Sequence, residues 1–348
     1  MKILFYTDVH LCESESLVRA RGLEYTARIE NCVESVNWAE QLADQQQCDL
    51  IICGGDFFDK AKISAEEVTA ATHSIKWSTL PHYMIVGNHE MQSAVYYNTL
   101  RSINSSNIEV VSEQKVIPTE NADIVLLPYI PTDAVLDLKD YLPNNDKKKF
   151  VFSHNDISGI QYGQYMSTVG IDVNTIDDNC ELFVNGHIHN GGWFSKSGIN
   201  LGNLTGKNFT EDAFKYKHQA AIIDTNSGTI QLIDNPHAFN FYKINIKDDK
   251  SLKMLAGLDK NDVVSITSDI KYADSIKQIL EQNNLKFYRI SYSYDSLQGV
   301  STEEAFKAEF ISQDHITQYI TFAKEKIDNS PLLLDELQKI FGGTSNEH

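Results

Sequence analysis

Residues 181–190, with the sequence ELFVNGHIHN, contain the most informative pattern in the chain. Their apolar run predicts a short buried strand. Two imidazoles, His187 and His189, follow that strand two positions apart, and alternate residues of an extended chain project to the same side. Gly186 allows the backbone to turn at the strand end. Both rings can therefore point into one cleft, as metal ligands would, although surface or core histidines also form such pairs.

Four more apolar segments end in residues that can bind a metal. Each segment has the composition of a buried strand. The residues that follow them are Asp8 and His10 after 2–7, Asp56 after 49–53, Asn88 and His89 after 82–86, and His154 after 149–153. In layered α/β folds, ligands bind at the carboxyl ends of strands. Each residue alone could be an ordinary turn, cap or core residue, but their joint occurrence favours one shared metal site.

The candidate ligands are carboxylate, amide and imidazole groups, without thiolates. This set suits Mn²⁺, Fe or Zn²⁺ better than Mg²⁺ or Ca²⁺. It is too large for one tetrahedral ion, and two ions bridged by one carboxylate fit better. Two such ions, about 3.5–4 Å apart, neutralise phosphate oxygens and lower the pKa of a bound water. The pattern is therefore similar to that of two-metal phosphoryl-transfer sites.

The composition limits the possible classes of protein. With 348 residues, the chain can hold one large domain and smaller additions. Its 48 acidic and 30 basic residues give a formal charge of -18, so it is not a simple basic DNA-coating protein, and a partner would help it to hold DNA. Five scattered cysteines without a CxxC pair argue against disulfides and thiolate zinc. We expect a cytoplasmic protein without signal peptide or membrane span.

Strands and helices alternate at the start of the chain, which predicts an α/β layered domain. Helices are predicted over 23–46, from the capping box at Ser64 and Glu67 to about Trp77, and around 94–103. The middle is richer in strands, including 123–129, 200–204 and a hairpin of 220–224 with 229–233. Residues 156–178 are predicted to form a loop with little regular structure.

Three regions are predicted. Residues 1–235 form the large domain, and Pro236 marks the boundary of a small α+β unit, 236–297. That unit has predicted strands at 241–246, 263–267 and 287–294 and a helix at 273–282. Residues 298–348 form a helical tail whose apolar faces either dock on a partner or pack back on the chain.

The motifs DVH (8–10), GGDFFD (54–59), GNHE (87–90), SHND (153–156) and GHIH (186–189) together resemble the calcineurin-like metallophosphoesterases. The resemblance covers about the first 235 residues. It implies a four-layer α/β fold with two stacked central β-sheets flanked by helices. It implies one ion on Asp8, His10 and His189, a second on Asn88, His154 and His187, and Asp56 as the bridge. It makes His89 the catalytic residue that contacts phosphate and helps to protonate the leaving oxygen. Asp59 either supports a ligand or is a turn residue.

The order of a catalytic domain, a small cap and a helical tail resembles the SbcD-type subunits of DNA double-strand-break nucleases, the meiotic-recombination-eleven family. Residues 203–211 are similar to the loop after the last motif of that family, and the compact length looks phage-like. The resemblance implies a Mn²⁺-dependent exonuclease or endonuclease that acts on DNA in recombination and repair. It implies an SbcC-type coiled-coil ATPase partner, a homodimer within a heterotetramer, and, if phage-encoded, the host cytoplasm. A stand-alone phosphatase or cyclic phosphodiesterase for small phosphoesters remains the alternative.

Overall fold

The computed structural model describes residues 1–13, 25–75, 79–92, 97–103, 106–162 and 165–293. Its strands, in chain order, are β1 Lys2–Tyr6, β2 Leu50–Cys53, β3 His82–Ile85, β4 Ile108–Val111, β5 Lys115–Pro118, β6 Ala122–Leu127, β7 Val135–Leu136, β8 Lys148–Ser153, β9 Ile157–Ser158, β10 Gln161–Tyr162, β11 Tyr165–Met166, β12 Gly170–Asp172, β13 Leu182–Asn185, β14 Gly192–Trp193, β15 Gly198–Asn200, β16 Gln219–Asp224, β17 Thr229–Asp234, β18 Asn240–Ile246, β19 Asp262–Asp269 and β20 Lys286–Ser293. The helices are α1 Ala27–Gln45, α2 Ala65–Ser74, α3 Val173–Asn179, α4 Asp249–Ala256 and α5 Ala273–Gln282, with 3₁₀ turns at Thr99–Ser102, Leu138–Tyr141 and Ile270–Tyr272.

Two six-stranded sheets form the centre of the molecule. Their strand orders are β17-β16-β1-β2-β3-β4 and β14-β15-β13-β8-β6-β5. In the first sheet β1, β2, β3 and β4 run parallel, and in the second β6, β8, β13 and β15 run parallel. Parallel neighbours end at the same edge of a sheet. The segments that follow β1, β2, β3, β8 and β13 are therefore brought towards one another.

Alternation along β1 shows how the layers are built. Ile3 and Phe5 face the second sheet, where the ring centroids of Phe5 and Phe152 lie 5.4 Å apart. Leu4 and Tyr6 face α1 and α2 on the other side. The outer face of the second sheet packs against α3 and the short strands β9 and β12. The predicted arrangement of two stacked sheets between helical layers is confirmed.

The two long helices of the first sheet begin at capping residues. Thr26 accepts a bond from the Ile29 amide at the start of α1. Before α2, Ser64 Oγ accepts from the Glu67 amide, and Glu67 Oε2 accepts from the Ser64 amide, which is the predicted capping box. The predicted ends of these helices at Leu23 and Trp77 lie outside the described residues.

Residues 240–293 build a separate parallel sheet of order β18-β19-β20, with α4 and α5 packed on it. Helix α5 has its predicted bounds, whereas α4, which has a capping box at Asp248 and Ser251, was not predicted. This unit contacts the chain that precedes it, because the Ala213 amide donates to Phe241 O. The predicted helical tail, 298–348, lies outside the described residues, and the three-region division stays a prediction.

Three local predictions were wrong in whole or in part. Residues 156–178 contain β9 to β12 and α3 instead of an irregular loop, because strands of two or three residues are too short to show a periodicity. Asp172 caps α3 by accepting from the Asn174 amide. The predicted helix around 94–103 is, within 97–103, only the 3₁₀ turn Thr99–Ser102; residues 94–96 lie outside the described part.

The second half of the predicted strand 200–204 is also not a strand, because β15 ends at Asn200 and Gly202 follows with φ of 82°. Among the helices within the described ranges, none combines the length and the apolar character needed to cross a bilayer.

Candidate metal centre

The first group of predicted ligands joins both sheets. Asp8 and His10 follow β1, and His189 follows β13. The Nε2 atoms of His10 and His189 lie 2.8 Å apart. Asp8 Oδ1 lies 3.7 Å from the first of these nitrogens and 3.9 Å from the second. Ligand atoms about 2.0–2.2 Å from one ion lie no more than about 4.4 Å apart, so this group fits a single ion.

The second group lies next to the first. Asn88 Oδ1 is 3.0 Å from His187 Nδ1 and 3.3 Å from His154 Nε2. His154 Nε2 is 3.2 Å from Asp56 Oδ2. The residues that carry these atoms lie just after strands: Asn88 after β3, His187 after β13, His154 after β8 and Asp56 after β2. The two sheets together therefore supply both groups.

Asp56 borders both groups with one atom. Its Oδ2 is 3.2 Å from His154 Nε2 in the second group and 3.8 Å from His10 Nε2 in the first. Its other oxygen, Oδ1, accepts a bond from the His89 amide at 2.9 Å. The carboxylate is therefore fixed at one end and faces both groups with the other, as a bridging ligand would.

The backbone is strained at the site. Left-handed φ angles occur at Asp8 (53°), His10 (49°), Asp56 (48°) and His187 (74°). Residues with side chains rarely adopt this region, and each such residue costs about 1–3 kcal/mol. Elsewhere in the described residues, only Gln47 and Asn284 among non-glycine residues do so, and each lies just after a helix. The strain marks the strand ends as places where side-chain position takes precedence over backbone preference.

In each of the four imidazoles of the two groups, the ring nitrogen that faces away from the group lies within hydrogen-bond distance of an oxygen atom. The partners are Asp59 Oδ1 for His10 Nδ1 (3.0 Å), Glu211 Oε1 for His189 Nδ1 (2.8 Å), Gly54 O for His154 Nδ1 (2.7 Å) and Asp156 Oδ1 for His187 Nε2 (3.2 Å). Such bonds fix the tautomer and orientation of metal-binding histidines. Asp59, for which the sequence left two explanations, supports His10.

The polar atoms at the centre fit a cation. Asp8 Oδ2 accepts from the Thr7 hydroxyl and the His187 amide, but the buried Asp8 Oδ1 has no hydrogen-bond partner among the described residues. A buried, unpaired carboxylate oxygen is costly. With their Nδ1 atoms facing carboxylates, His10 and His189 present two Nε2 acceptors to each other at 2.8 Å. A divalent ion beside these three atoms would satisfy all of them.

The charges of the site shift several pKa values. Burial alone would raise the pKa of Asp8 and of Asp56. The attraction of His154 and the other imidazoles outweighs the effect of burial and lowers both pKa values, that of Asp8 to about 2. Burial opposes a charge on His154, yet the Asp56 and Asp8 carboxylates raise its pKa to about 10, so a metal ion that binds this ring would have to displace its proton. The carboxylates are therefore ionised at neutral pH, in the state needed to bind a cation.

His89 lies at the rim of the centre. Its Nδ1 is 2.7 Å from the Asp59 carbonyl oxygen, to which it donates, so Nε2 is left free of that bond. Nε2 is 3.9 Å from Asp56 Oδ2, and the side chain is 35% exposed, whereas His10 and His154 are fully buried. The ring of His89 packs edge-on against that of His10 at 4.8 Å. Its position suits contact with a bound substrate better than enclosure of an ion.

Besides Glu211 and Asp156, two further residues that support the centre were not predicted. Glu90, which is fully buried, accepts from the amides of Asp56, Gly87 and Phe58 and so joins the second and third motifs. Burial, and next the Asp56 charge, raise the pKa of Glu90 to about 8. Arg28 donates to the carbonyls of Val9 and His10 from α1. Glu90 could have been noticed as the last residue of GNHE, but the helical pattern gave no signal for Arg28.

Comparison with known proteins agrees with the fold. The family model of calcineurin-like phosphoesterases matches residues 1–191, more than half of the chain. The chain therefore belongs to the calcineurin-like phosphoesterase family. No curated protein sequence matches significantly.

Several solved structures are similar. A dimetal phosphatase from Danio rerio is 12% identical, with 67% of this chain and 96% of that chain covered and a TM-score of 0.41. The protein TT1561 of Thermus thermophilus is 10% identical, with 67% and 98% covered and a TM-score of 0.40. The nuclease MPE of Pseudomonas putida is 13% identical, with 66% and 87% covered and a TM-score of 0.30.

Proposed function

We propose that this protein is the nuclease subunit of a DNA end-processing complex and hydrolyses phosphodiester bonds at a two-metal centre. The observation that carries the proposal is the position of Asp56 Oδ2, which borders one group of ligands at 3.2 Å and the other at 3.8 Å. When bound, two divalent ions, for which we propose Mn²⁺, would supply charge stabilisation and an acidified water. Asp8, His10 and His189 would hold one ion, and Asn88, His154 and His187 the other.

His89 is the residue placed to handle a proton. Its Nδ1 donates to the Asp59 carbonyl oxygen, and its Nε2 lies 3.9 Å from Asp56 Oδ2 on a side chain that is 35% exposed. A proton held at Nε2 can be given to the leaving oxygen of a cleaved phosphodiester. Because this ring is oriented by the backbone and not by an ion, it can also contact a phosphate oxygen without competing for the ligands.

The charge of the small unit favours a polyanionic substrate. Residues 240–293 contain nine basic and seven acidic residues, although the whole chain has a charge of -18. The unit is joined to the segment that follows the GHIH motif, because the Ala213 amide donates to Phe241 O and the Phe239 amide, just before the unit, donates to Thr205 O. A unit with this small excess of positive charge, attached near the centre, would repel DNA phosphates less than the acidic body does.

The assembly is proposed from the layout of the chain. An SbcC-type coiled-coil ATPase that docks on residues 298–348 would add the positive charge that the large domain lacks, and a homodimer within a heterotetramer would place two centres at one DNA end. Removal of residues 302–348 should then abolish binding of the ATPase in a pull-down and leave the hydrolysis of a small diester unchanged. An equal loss of ATPase binding and of diester hydrolysis would favour a tail that packs on its own chain.

The substrate class is tested with two substrates in parallel. The purified chain with Mn²⁺ is given linear duplex DNA and bis-p-nitrophenyl phosphate, each with and without the ATPase partner. We expect metal-dependent hydrolysis of both, with Asp56→Asn as the inactive control. Hydrolysis of the small ester without cleavage of DNA under either condition would refute the nuclease function and favour a stand-alone phosphatase or cyclic phosphodiesterase.

A further inference from the structure

We propose that the two ion sites fill in a fixed order, the site of Asp8, His10 and His189 first, and that residues 205–211, the 205–211 loop, produce this order. The inference rests on the two-ion centre of the proposed function but not on its substrate. It makes Glu211, Lys207 and Asp59 positioning residues that act on the first site through its two imidazoles.

The loop holds His189 through one buried carboxylate. Glu211 is 1% exposed. Its Oε1 lies 2.8 Å from His189 Nδ1, and its Oε2 accepts from the Lys207 amide at 2.6 Å. Both oxygens are occupied, and the carboxylate ties the His189 ring to the backbone of the loop.

The loop holds His10 through a second carboxylate. Asp59 Oδ1 is 3.0 Å from His10 Nδ1 and accepts from Lys207 Nζ at 2.5 Å. Lys207 therefore fixes the oxygen that orients the ring. Arg28 ties the same loop to the end of β1, because it donates to Gly206 O at 2.7 Å and to Val9 O at 3.0 Å. Both imidazoles of the first group are thus oriented by carboxylates that the 205–211 loop holds.

Within the described residues, the second group lacks an equivalent support. His154 is oriented by the neutral carbonyl of Gly54, and His187 by Asp156, whose side chain is 32% exposed and lies 3.2 Å away. The third ligand of the second group, Asn88, is a neutral amide. The third ligand of the first group, Asp8, is a carboxylate that the second group does not share. A carboxylate on the far nitrogen makes an imidazole a stronger ligand. The first site therefore has more negative charge and stronger ligands, and an ion bound there would repel a second one.

The order of filling is measured on the full-length, metal-free protein without substrate. Mn²⁺ is added stepwise and followed by electron paramagnetic resonance and isothermal titration calorimetry. We expect the first equivalent to give isolated Mn²⁺, with an affinity about 10-fold or more above that of the second, which should give the signal of a coupled pair. A coupled pair from the first addition, or two equal affinities, would overturn the inference.

Matched variants assign the steps to the sites. Glu211→Gln should weaken the tighter step by about 10–100-fold and leave the weaker step nearly unchanged. Asp156→Asn, the corresponding change on the other site, should weaken only the second step. If circular dichroism shows that Glu211→Gln does not fold, Asp59→Asn replaces it, with the same expected direction. A variant of Glu211 or Asp59 that folds and leaves the tight step unchanged would contradict the assignment.

The outcomes separate this inference from the proposed function. Ordered Mn²⁺ binding without DNA cleavage would refute only the nuclease function. Cleavage of DNA by a protein that binds both ions equally would refute only the order of filling.

Discussion

The substitution Gly87→Ala tests how tightly the shared carboxylate is held. A Cβ atom at this position would lie 2.2 Å from Asp56 Oδ1 and 2.5 Å from the Asp56 amide nitrogen. Ordinary contact begins at 3.4 Å, so the Asp56 carboxylate would have to retreat by about 1.2 Å. Gly87 cannot easily move instead, because its amide and that of Asp56 both donate to Glu90 Oε2.

A displacement of about 1 Å exceeds the roughly 0.2 Å that metal–ligand distances tolerate. Since Asp56 Oδ2 borders both groups, we expect Gly87→Ala to weaken both Mn²⁺ binding steps by roughly 10-fold or more. Overpacking should also lower the free energy of unfolding by about 1–3 kcal/mol. Calorimetric Mn²⁺ titration and urea unfolding of the metal-free protein measure the two effects.

The control for this experiment is Gly257→Ala, at the end of α4. A Cβ atom there would meet its nearest neighbour at 3.5 Å, which is ordinary contact, and should change neither Mn²⁺ binding nor unfolding by a comparable amount. If Gly87→Ala binds two ions with the affinities of the unchanged protein, the account of a rigidly held shared carboxylate is refuted.

Three further predictions concern catalysis, pH and stability. His89→Ser should lower the turnover of bis-p-nitrophenyl phosphate by roughly 10²–10⁴-fold with Mn²⁺ binding intact; a parallel loss of Mn²⁺ would make His89 a ligand. Burial lowers the pKa of His218 below 6.5, so stability should be lost as the pH falls from 6.5, by up to ~1.4 kcal/mol per pH unit. His218→Gln should reduce that slope in urea unfolding, and equal slopes would contradict the prediction. Ser64→Ala removes the cap of α2 and should cost about 1 kcal/mol; an unchanged unfolding midpoint would count against the capping box.

The position of the site could be predicted because each of its motifs is local. A buried strand followed by a ligand is a feature of adjacent residues, such as 2–6 with Asp8 or 182–185 with His187. Parallel pairing then determines that these strand ends meet, and the alternation of Ile3, Leu4, Phe5 and Tyr6 shows which face of β1 lies inside. These motifs were enough to expect one shared site, whereas the two stacked sheets were expected from the resemblance to the calcineurin-like metallophosphoesterases.

The supporting residues could not be predicted because their partners are distant along the chain. Glu211 contacts His189 across 22 positions, and Arg28 contacts Gly206 across 178. Neither contact leaves a periodicity or a spacing in the sequence. The same reason explains the missed strands β9 to β12, since strands of two or three residues are stabilised by their neighbours in space and not by a pattern of their own.

The structure assigns His187 and His189 of the GHIH motif to different groups, which the sequence alternation alone did not indicate. On an extended strand His187 and His189 would project to the same side and could share one ion. In the structure His187 has a φ of 74°, its Nδ1 lies beside Asn88, and His189 Nε2 lies beside His10. The turn therefore separates the two rings and gives one to each group.

The most direct test of the central claim is a crystal structure of the protein grown with Mn²⁺, with anomalous scattering measured at the manganese edge. The account predicts two peaks about 3.5–4 Å apart, one on each side of Asp56 Oδ2. The first should lie within bonding distance of Asp8, His10 and His189, and the second within that of Asn88, His154 and His187. A single peak, or two peaks that do not share Asp56, would contradict it.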